Sequence, residues 1–426
     1  MLKGKKVLLG VTGSISAYKA CDLVQRLKDE GAQVRVILTP SAARLVHPNT
    51  FAALTGHKVP VDAWTGVDQG SMDHIDFARW ADLFLVAPCT AHTLGEFAQG
   101  LTGSLLSLVY LVFRGNVYIA PAMNSVMLGA SAVRRNLDLL RAKGDVILPT
   151  GEGVLACGEV GDGKLLDVPH ILRYLKSHLA VAVGGPYPTL AGKRILLSFG
   201  HTREKWDDVR FVSNRSSGRT GLALARAFQL AGAHVEAISG VTEEIPSPGL
   251  VAALVETSED FRREMLARQA GADVVIMAAA IADFVPAQVH KGKVKASREM
   301  STLPLQPFPN ILAELGERKS PGQVLVGFAL ETKDALAHAR TKMESRNCDA
   351  MVVNDPVAVE TGFGKGRVKA AILTREDGTR AERGASNGKP AGKGRMPEAA
   401  EESLVEWDKD ELAAAIVGRV AALLGG

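Results

Sequence analysis

Cysteine is scarce. Cys21, Cys89, Cys157 and Cys348 stand far apart in 426 residues, with no CxxC pair, which argues against a zinc site or a disulfide framework. Long apolar runs are missing too. The most apolar window, Leu105 to Phe113, falls well short of the roughly 20 residues that a helix needs to cross a bilayer. A strand begins within six residues of the N-terminus, which leaves no room for a signal peptide. Neither charge sign dominates: 50 Lys and Arg face 46 Asp and Glu, a net +4, so nothing requires a nucleic acid or an anionic membrane. The GxGxxG fingerprint of dinucleotide binding is absent from the first loop, which lowers the case for NAD. The expectation is a cytoplasmic globular chain, 46% hydrophobic and 23% charged, long enough for two domains.

What the sequence does contain, it contains twice. Gly4-Lys-Lys-Val-Leu-Leu-Gly10 is echoed by Gly192-Lys-Arg-Ile-Leu-Leu-Ser198, and Gly31-Ala-Gln-Val-Arg-Val-Ile-Leu38 by Gly232-Ala-His-Val-Glu-Ala-Ile-Ser239. Ala81-Asp-Leu-Phe-Leu-Val-Ala87 returns as Ala272-Asp-Val-Val-Ile-Met-Ala278. Each half reads strand, glycine-containing loop, amphipathic helix, strand, then a third apolar strand. This is the order of a doubly wound parallel α/β sheet, whose ligand lies beyond the carboxyl ends of the strands. Two Rossmann-like domains are expected, 1–183 and 192–426, joined by a linker over 184–191 where Gly184-Gly-Pro-Tyr-Pro188 punctuates the chain.

The stretch Arg194 to Gly221 organises the second half. Ile195, Leu196 and Leu197 read as a buried strand, and Asn214-Arg215-Ser216-Ser217-Gly218 leads into a helix with Leu224, Phe228 and Ala231 on one face. Strand, loop and helix in that order aim free N–H groups and a positive helix end at the loop, which suits a phosphate. An ordinary N-capped helix would carry the same letters.

In the first half, Val11-Thr-Gly-Ser-Ile-Ser16 precedes a helix with Ala17, Ala20, Val24 and Leu27 on one face. Its small residues, Gly13, Ser14 and Ser16, fit one phosphate, as in a mononucleotide such as FMN. A second hydroxyl cluster, Thr39-Pro-Ser41, ends the next strand on the same edge. Two well-capped helices are the plainer alternative. Three sites carry possible chemistry. His74 precedes the third strand. Asn124, in Pro121-Ala-Met-Asn124, follows the apolar strand Asn116–Ala120, where an amide can hold a carboxylate. Cys157 lies in the Gly-rich stretch Gly151–Gly163, which reads as a mobile flap whose thiol can donate a proton. A solvated His and a small buried Cys are the bland readings. In the second half, Asp283 ends Ala278-Ala-Ala-Ile-Ala-Asp283 at the ligand edge, and Lys291, Lys293 and Lys295 form a charge run that is either a solvated face or a phosphate contact.

With these marks on the page, the chain resembles the bifunctional coenzyme A biosynthesis family, phosphopantothenoylcysteine decarboxylase fused to phosphopantothenate–cysteine ligase. The resemblance covers roughly residues 4–370 and rests on the order of the pre-strand His, the Pro-x-Met-Asn segment, the Leu-Ala-Cys-Gly flap, TREKWDDVRFVSNRSSGRTG, AAAIADFVP and GFALET. It implies a flavodoxin-like FMN domain that decarboxylates by transient oxidation of the substrate thiol. His74 would act as base or carboxylate-positioning group, Asn124 as carboxylate binder and Cys157 as proton donor, with Thr90 beside the flavin. It implies a ligase domain in which CTP and Mg2+ activate 4′-phosphopantothenate as an acyl-cytidylate and the amine of cysteine displaces CMP. Asn214 would bind that intermediate and Lys293 would neutralise its charge. Ala279, Asp283, Pro309, Asn310, Ile311, Leu312, Phe328, Lys342 and Arg346 would contact nucleotide. Trimer contacts through the flavin halves and dimer contacts through the ligase halves are implied as well; the metal ligands are not.

The sequence departs from the family pattern in places. Pro88-Cys-Thr-Ala-His92 and Gly100-Leu-Thr-Gly-Ser-Leu-Leu106 put an imidazole where an amide is usual and lack an acidic residue. Arg346 stands for a lysine and Asn310 for an aspartate, and Gly364-Lys-Gly-Arg367 replaces a more acidic turn. A ligase-only enzyme and a non-catalytic flavin- or nucleotide-binding module are the alternatives. Residues 375–402, poor in apolar side chains, are expected to be a loosely held insertion. Leu412, Ile416, Val420 and Leu423 then predict a closing helix that packs on the second sheet.

Overall fold

A computed structural model describes residues 2–62, 73–154, 158, 160–185, 187–242, 250, 252–294, 302–331, 334–355, 367–375 and 403–425. The chain divides into two compact units, Met1–Lys176 and Ser177–Gly426. The division falls within the helix Val168–Gly184.

The first unit is built on strands β1 (Lys6–Val11), β2 (Gln33–Leu38), β3 (Leu83–Cys89), β4 (Val117–Pro121) and β5 (Val146–Ile147). They lie in the order β2-β1-β3-β4-β5, all parallel, which is the flavodoxin-like order. Every residue of β3 is buried, as expected of a strand covered on both faces. The helix Lys19–Asp29 turns Ala20, Leu23, Val24 and Leu27 inward, the face read from the sequence with Leu23 added. Behind the sheet, Leu106 of helix Leu105–Val112 fills the space left by Gly10, where a Cβ would come within 2.4 Å of its side chain. Leu8, Phe84, Val86, Leu106, Tyr110 and Ile119 meet in that core. A hairpin of β6 (Gly151–Val154) and β7 (Val160–Lys164) completes the unit.

The second unit contains β8 (Arg194–Phe199), β9 (Arg203–Lys205), β10 (Phe211–Ser213), β11 (His234–Ser239), β12 (Ala252–Leu254) and β13 (Val274–Met277). They are followed by β14 (Phe284–Pro286), β15 (Leu305–Pro307), β16 (Val324–Leu330), β17 (Ala350–Asp355), β18 (Arg367–Thr374) and β19 (Val405–Asp408). Its main sheet runs β12-β11-β8-β13-β16-β17-β18-β19. The pairings are parallel as far as β17, and the last two are antiparallel. The repeated segments of the sequence are thus β1 and β8, β2 and β11, β3 and β13, and both units are Rossmann-like.

Two details differ from the sequence reading. The helix Arg219–Leu230 is not amphipathic in its setting: every residue from Gly221 to Phe228 is buried, Arg226 included. The cause is the closing helix Lys409–Gly425, which packs chiefly on this helix and also reaches β16, β18 and β19. Leu412, Ile416 and Val420 are buried as expected, but their main partner is a helix rather than the sheet. Arg226 is tolerated there because it reaches Asp410 at 3.1 Å and Ser177 at 3.3 Å, and Ser177 in turn donates to Asp410. Apart from Arg375, the expected insertion at 375–402 lies outside the described residues.

Candidate functional site

Strand order fixes where each unit can hold a ligand. In the first, the chain leaves β1 toward one edge for β2 and toward the other from β3, so a crevice opens beyond the ends of β1 and β3. Thr12, fully buried, ties its two sides together. Its hydroxyl donates to the carbonyl of Pro88 at 2.8 Å and accepts from the N–H of Thr90 at 3.0 Å. Gly13 passes so close to Ser41 that an added Cβ would lie 2.4 Å from the Ser41 Cβ. Ser14 caps the short turn Ile15–Tyr18 by accepting from the N–H of Ser16. Thr39 caps Pro40–Ala43, and Thr90 caps the helix Ala91–Gln99. Gly13, Ser14, Ser16, Thr39, Ser41 and Thr90 therefore all sit on the loops at the carboxyl ends of β1, β2 and β3. A tight rim of small hydroxyl residues with no room for a Cβ suits a phosphate-bearing group.

The three chemistry candidates of this unit occupy separate segments. His74, half-buried, is in the first turn of helix Asp73–Trp80, which leads into β3. Asn124 follows β4 and caps Ser125–Gly129 by accepting from the N–H of Val126 at 2.8 Å. The hairpin strand β7 lies against that segment: the N–H of Met123 donates to the carbonyl of Gly163 at 2.9 Å, and a Cβ on Gly163 would meet the Met123 carbonyl at 2.2 Å. Cys157 lies outside the described residues. His92 is exposed, 3.7 Å from the buried Glu96, and the Glu96 carboxylate fills the space beside Gly103.

In the second unit the switch point lies between β8 and β13, and there a cavity of about 730 Å³ opens. Ten residues singled out in the sequence line it: Asn214, Ala279, Asp283, Pro309 to Leu312, Phe328, Lys342 and Arg346. The helix Arg219–Leu230 begins at this cavity with Gly218 at φ 78° and no side chain capping it, so its positive end faces the space where an anion would sit. Gly221 brings that helix against β8, since a Cβ would lie 2.1 Å from the Phe199 Cβ. Asn214 is fixed by donating to the carbonyl of Ile281 at 2.9 Å, Asn310 caps its helix through the N–H of Ala313, and His201 holds the carbonyl of Ser216 at 2.9 Å.

Lys293 is the exception, exposed and absent from the cavity lining. Its segment is strapped instead to the turn 206–210 that joins β9 to β10. At the centre of that strap is Asp207, whose carboxyl burial alone would raise in pKa. The Arg210 guanidinium and the N–H groups of Val209, Val294 and Arg210 override that and hold it well below the usual carboxylate range. Reading the sequence missed Thr12, His201, Asp207 and Glu331, which pairs with the cavity residue Lys342. Each acts on a partner 11 to 87 residues along the chain, so standing within a quoted motif marked out none of them. Among the described residues no three His, Cys, Asp or Glu side chains gather as a metal site, and no helix is long and apolar enough to cross a membrane.

Two switch-point sites, one rimmed by small hydroxyl residues and one cationic and uncapped, define a two-module enzyme of the nucleotide-binding α/β class. Comparison with known proteins narrows this. Residues 1–180 match the flavoprotein family, and residues 190–391 match the DNA/pantothenate metabolism flavoprotein C-terminal domain. The coenzyme A biosynthesis bifunctional protein CoaBC of Bacillus subtilis (strain 168) is 42% identical over 365 residues, 85% of this chain and 89% of that protein. Its namesake from Escherichia coli (strain K12) is 35% identical over 366 residues, again 85% and 89%. The crystal structure of a CoaBC C-terminal domain aligns at 29% identity with a TM-score of 0.42, covering 56% of this chain and 98% of that one. The chain belongs to the bifunctional coenzyme A biosynthesis family, enzymes that join a phosphopantothenoylcysteine decarboxylase to a phosphopantothenate–cysteine ligase.

Proposed function

We propose that the second unit ligates cysteine to 4′-phosphopantothenate with CTP and Mg2+, and that the first then decarboxylates the product to 4′-phosphopantetheine. The observation that carries this is the second-unit cavity, where Asn214, Asp283, Phe328, Lys342 and Arg346 meet an uncapped helix start. Lys342 and Arg346 supply fixed cations for a triphosphate, and the positive end of helix Arg219–Leu230 adds to them. Asp283 takes a ribose hydroxyl or a water of the Mg2+, a cation that keeps several waters and leans on the phosphates themselves. Asn214 binds the acyl-nucleotide, and Lys293 neutralises charge as that species forms and breaks.

In the first unit, the tight rim at Gly13 and Ser41 and the flavoprotein match support FMN, which when bound supplies the reversible oxidation of the substrate thiol. The chain's own part is to position and to move protons. Asn124 holds the carboxylate, His74 orients it or takes a proton, and Cys157 returns one. Domain bounds of 1–183 and 192–426 with a linker at 184–191, a cytoplasmic location, and trimeric flavin-half with dimeric ligase-half contacts complete the reading.

The test mixes protein, CTP, Mg2+, cysteine and 4′-phosphopantothenate and identifies the product by mass. 4′-Phosphopantetheine is expected. A second reading, ligase only, draws on the exposed His92 and the Gly100–Leu106 turn, and predicts the uncleaved cysteine adduct. Pyrophosphate released equally without phosphopantothenate, or never, defeats the ligase assignment. ATP matching CTP in the same assay defeats the nucleotide assignment alone.

A further inference from the structure

We propose that Asp207 is a positioning residue for ligation, a buried carboxylate that sets the segment carrying Lys293 in register with the hairpin ending at Asn214. The proposal rests on the reading that Lys293 neutralises charge in the acyl-transfer step. One oxygen of Asp207 serves its own turn, accepting from the N–H groups of Val209 at 2.8 Å and Arg210 at 2.7 Å. A local turn needs no more than that. The other oxygen reaches across the chain to the N–H of Val294, the neighbour of Lys293, at 3.0 Å. It also takes both Nε (3.0 Å) and Nη2 (2.6 Å) of Arg210. Arg210 closes the loop by donating to the carbonyl of Val294 at 2.6 Å and stacks 4.1 Å above the Trp206 ring.

Two further bonds run in parallel: the N–H of Gly292 to Asp208 at 2.7 Å, and the N–H of His290 to the carbonyl of Trp206 at 2.9 Å. The turn so clasped is the link between β9 and β10, and β10 ends at Ser213, one residue before Asn214. The Asp207 side chain is wholly inaccessible, whereas Lys293 is exposed. A lysine on a flexible four-carbon stem has no rigidity of its own, so its aim depends on where the backbone is held. Asparagine at 207 would set N–H against N–H at Val294 or Arg210, and so would undo the clasp while keeping the side-chain shape.

The experiment uses the full chain and CTP-dependent pyrophosphate release. Asp207→Asn is expected to lower the ligase kcat by on the order of 100-fold, the cost of a misplaced group, with a change of less than about 3-fold in KM for CTP, because Asp207 does not itself line the cavity. Lys293→Gln is expected to fall by a similar or larger factor, on the order of 100- to 1,000-fold. Adding Asp207→Asn to Lys293→Gln should cost less than about 3-fold more, since a residue acting through Lys293 has nothing left to position. Factors that multiply in full in the double variant overturn the positioning role while leaving Lys293 in place. A normal rate for Lys293→Gln overturns the underlying reading and this proposal with it. If Asp207→Asn does not fold, Asp208→Ala, which removes only the Gly292 bond, carries the test. A several-fold lower kcat at an unchanged thermal midpoint supports the clasp, and a wild-type kcat overturns it.

Discussion

The two units start alike and diverge at the first loop. From β1 to the helix Lys19–Asp29 the chain takes seven residues, one of its turns being a short helix capped by Ser14. From β8 to the helix Arg219–Leu230 it takes nineteen, and a hairpin, β9–β10, rises within them. The short loop can only close on its own strands, as Thr12 does with Pro88 and Thr90, and the result is a tight rim. The long one overhangs its switch point, leaves the helix start uncapped and encloses a cavity of about 730 Å³. The same order of strand, loop and helix thus yields a tight rim in one place and an open cavity in the other. The length of a single connection makes the difference.

The sharpest way to break the comparison is to destabilise one unit without the other. Arg226→Ala leaves Asp410 and Ser177 buried without their cation, a loss of about 3–5 kcal/mol. Ligase activity should therefore vanish at a much lower denaturant concentration, while flavin release from the first unit keeps its midpoint. A shift below about 1 kcal/mol would show that water replaces the guanidinium.

Next come the two glycines at the loops. Gly221→Ala drives a Cβ into Phe199, and Gly13→Ala drives one into Ser41, each costing about 1–3 kcal/mol of overpacking. The first should slow pyrophosphate release and spare flavin content, the second the reverse. Equal effects of either on both activities would mean that the units are not independent.

Thr12→Val keeps the shape but strands the Thr90 N–H and loses the bond to Pro88, for about 1–3 kcal/mol. Flavin should dissociate on dilution more readily than from the wild type, as followed by fluorescence. The smallest effect is on acid stability. Because the folded pKa of Asp207 lies below its unfolded value of about 3.9, its contribution is complete above that pH. It is lost as pH falls toward the folded value, since the unfolded chain takes the proton first. Asp207→Asn should flatten the acid limb of the second unit's stability curve, measured by ligase inactivation, and leave flavin release unchanged.

Much of the fold was legible because apolar strands covered on both faces must be written in Val, Ile and Leu. The doubled motifs of Val7–Leu9 and Ile195–Leu197 gave the strands. The repeated order of strand, loop, helix and strand then pointed to a doubly wound parallel sheet, while the strand order itself came from the structure. Asp283 was legible for a related reason, because residues past the end of a parallel strand fall on the ligand edge; most of the other cavity residues were named through the family resemblance rather than through spacing. The surroundings of helix Arg219–Leu230 were not legible, because a helix 190 residues onward covers its outer side. Nor was β19, four residues beyond an uninformative stretch, whose Trp407 bonds to Ala370 across the strands.

By itself the sequence determined the two parallel sheets, the loops at their switch points and the residue types placed there, because hydrophobic period and chain order act locally. The tertiary structure alone decided which of those residues share a wall. It set Lys342 and Arg346 into the cavity and put Lys293 on a separate segment held by Asp207. It also let Arg226 be buried by supplying Asp410 from the far end of the chain. Pairings of that kind depend on charges and N–H groups that meet only after the sheet has formed, and no spacing along the chain encodes the meeting.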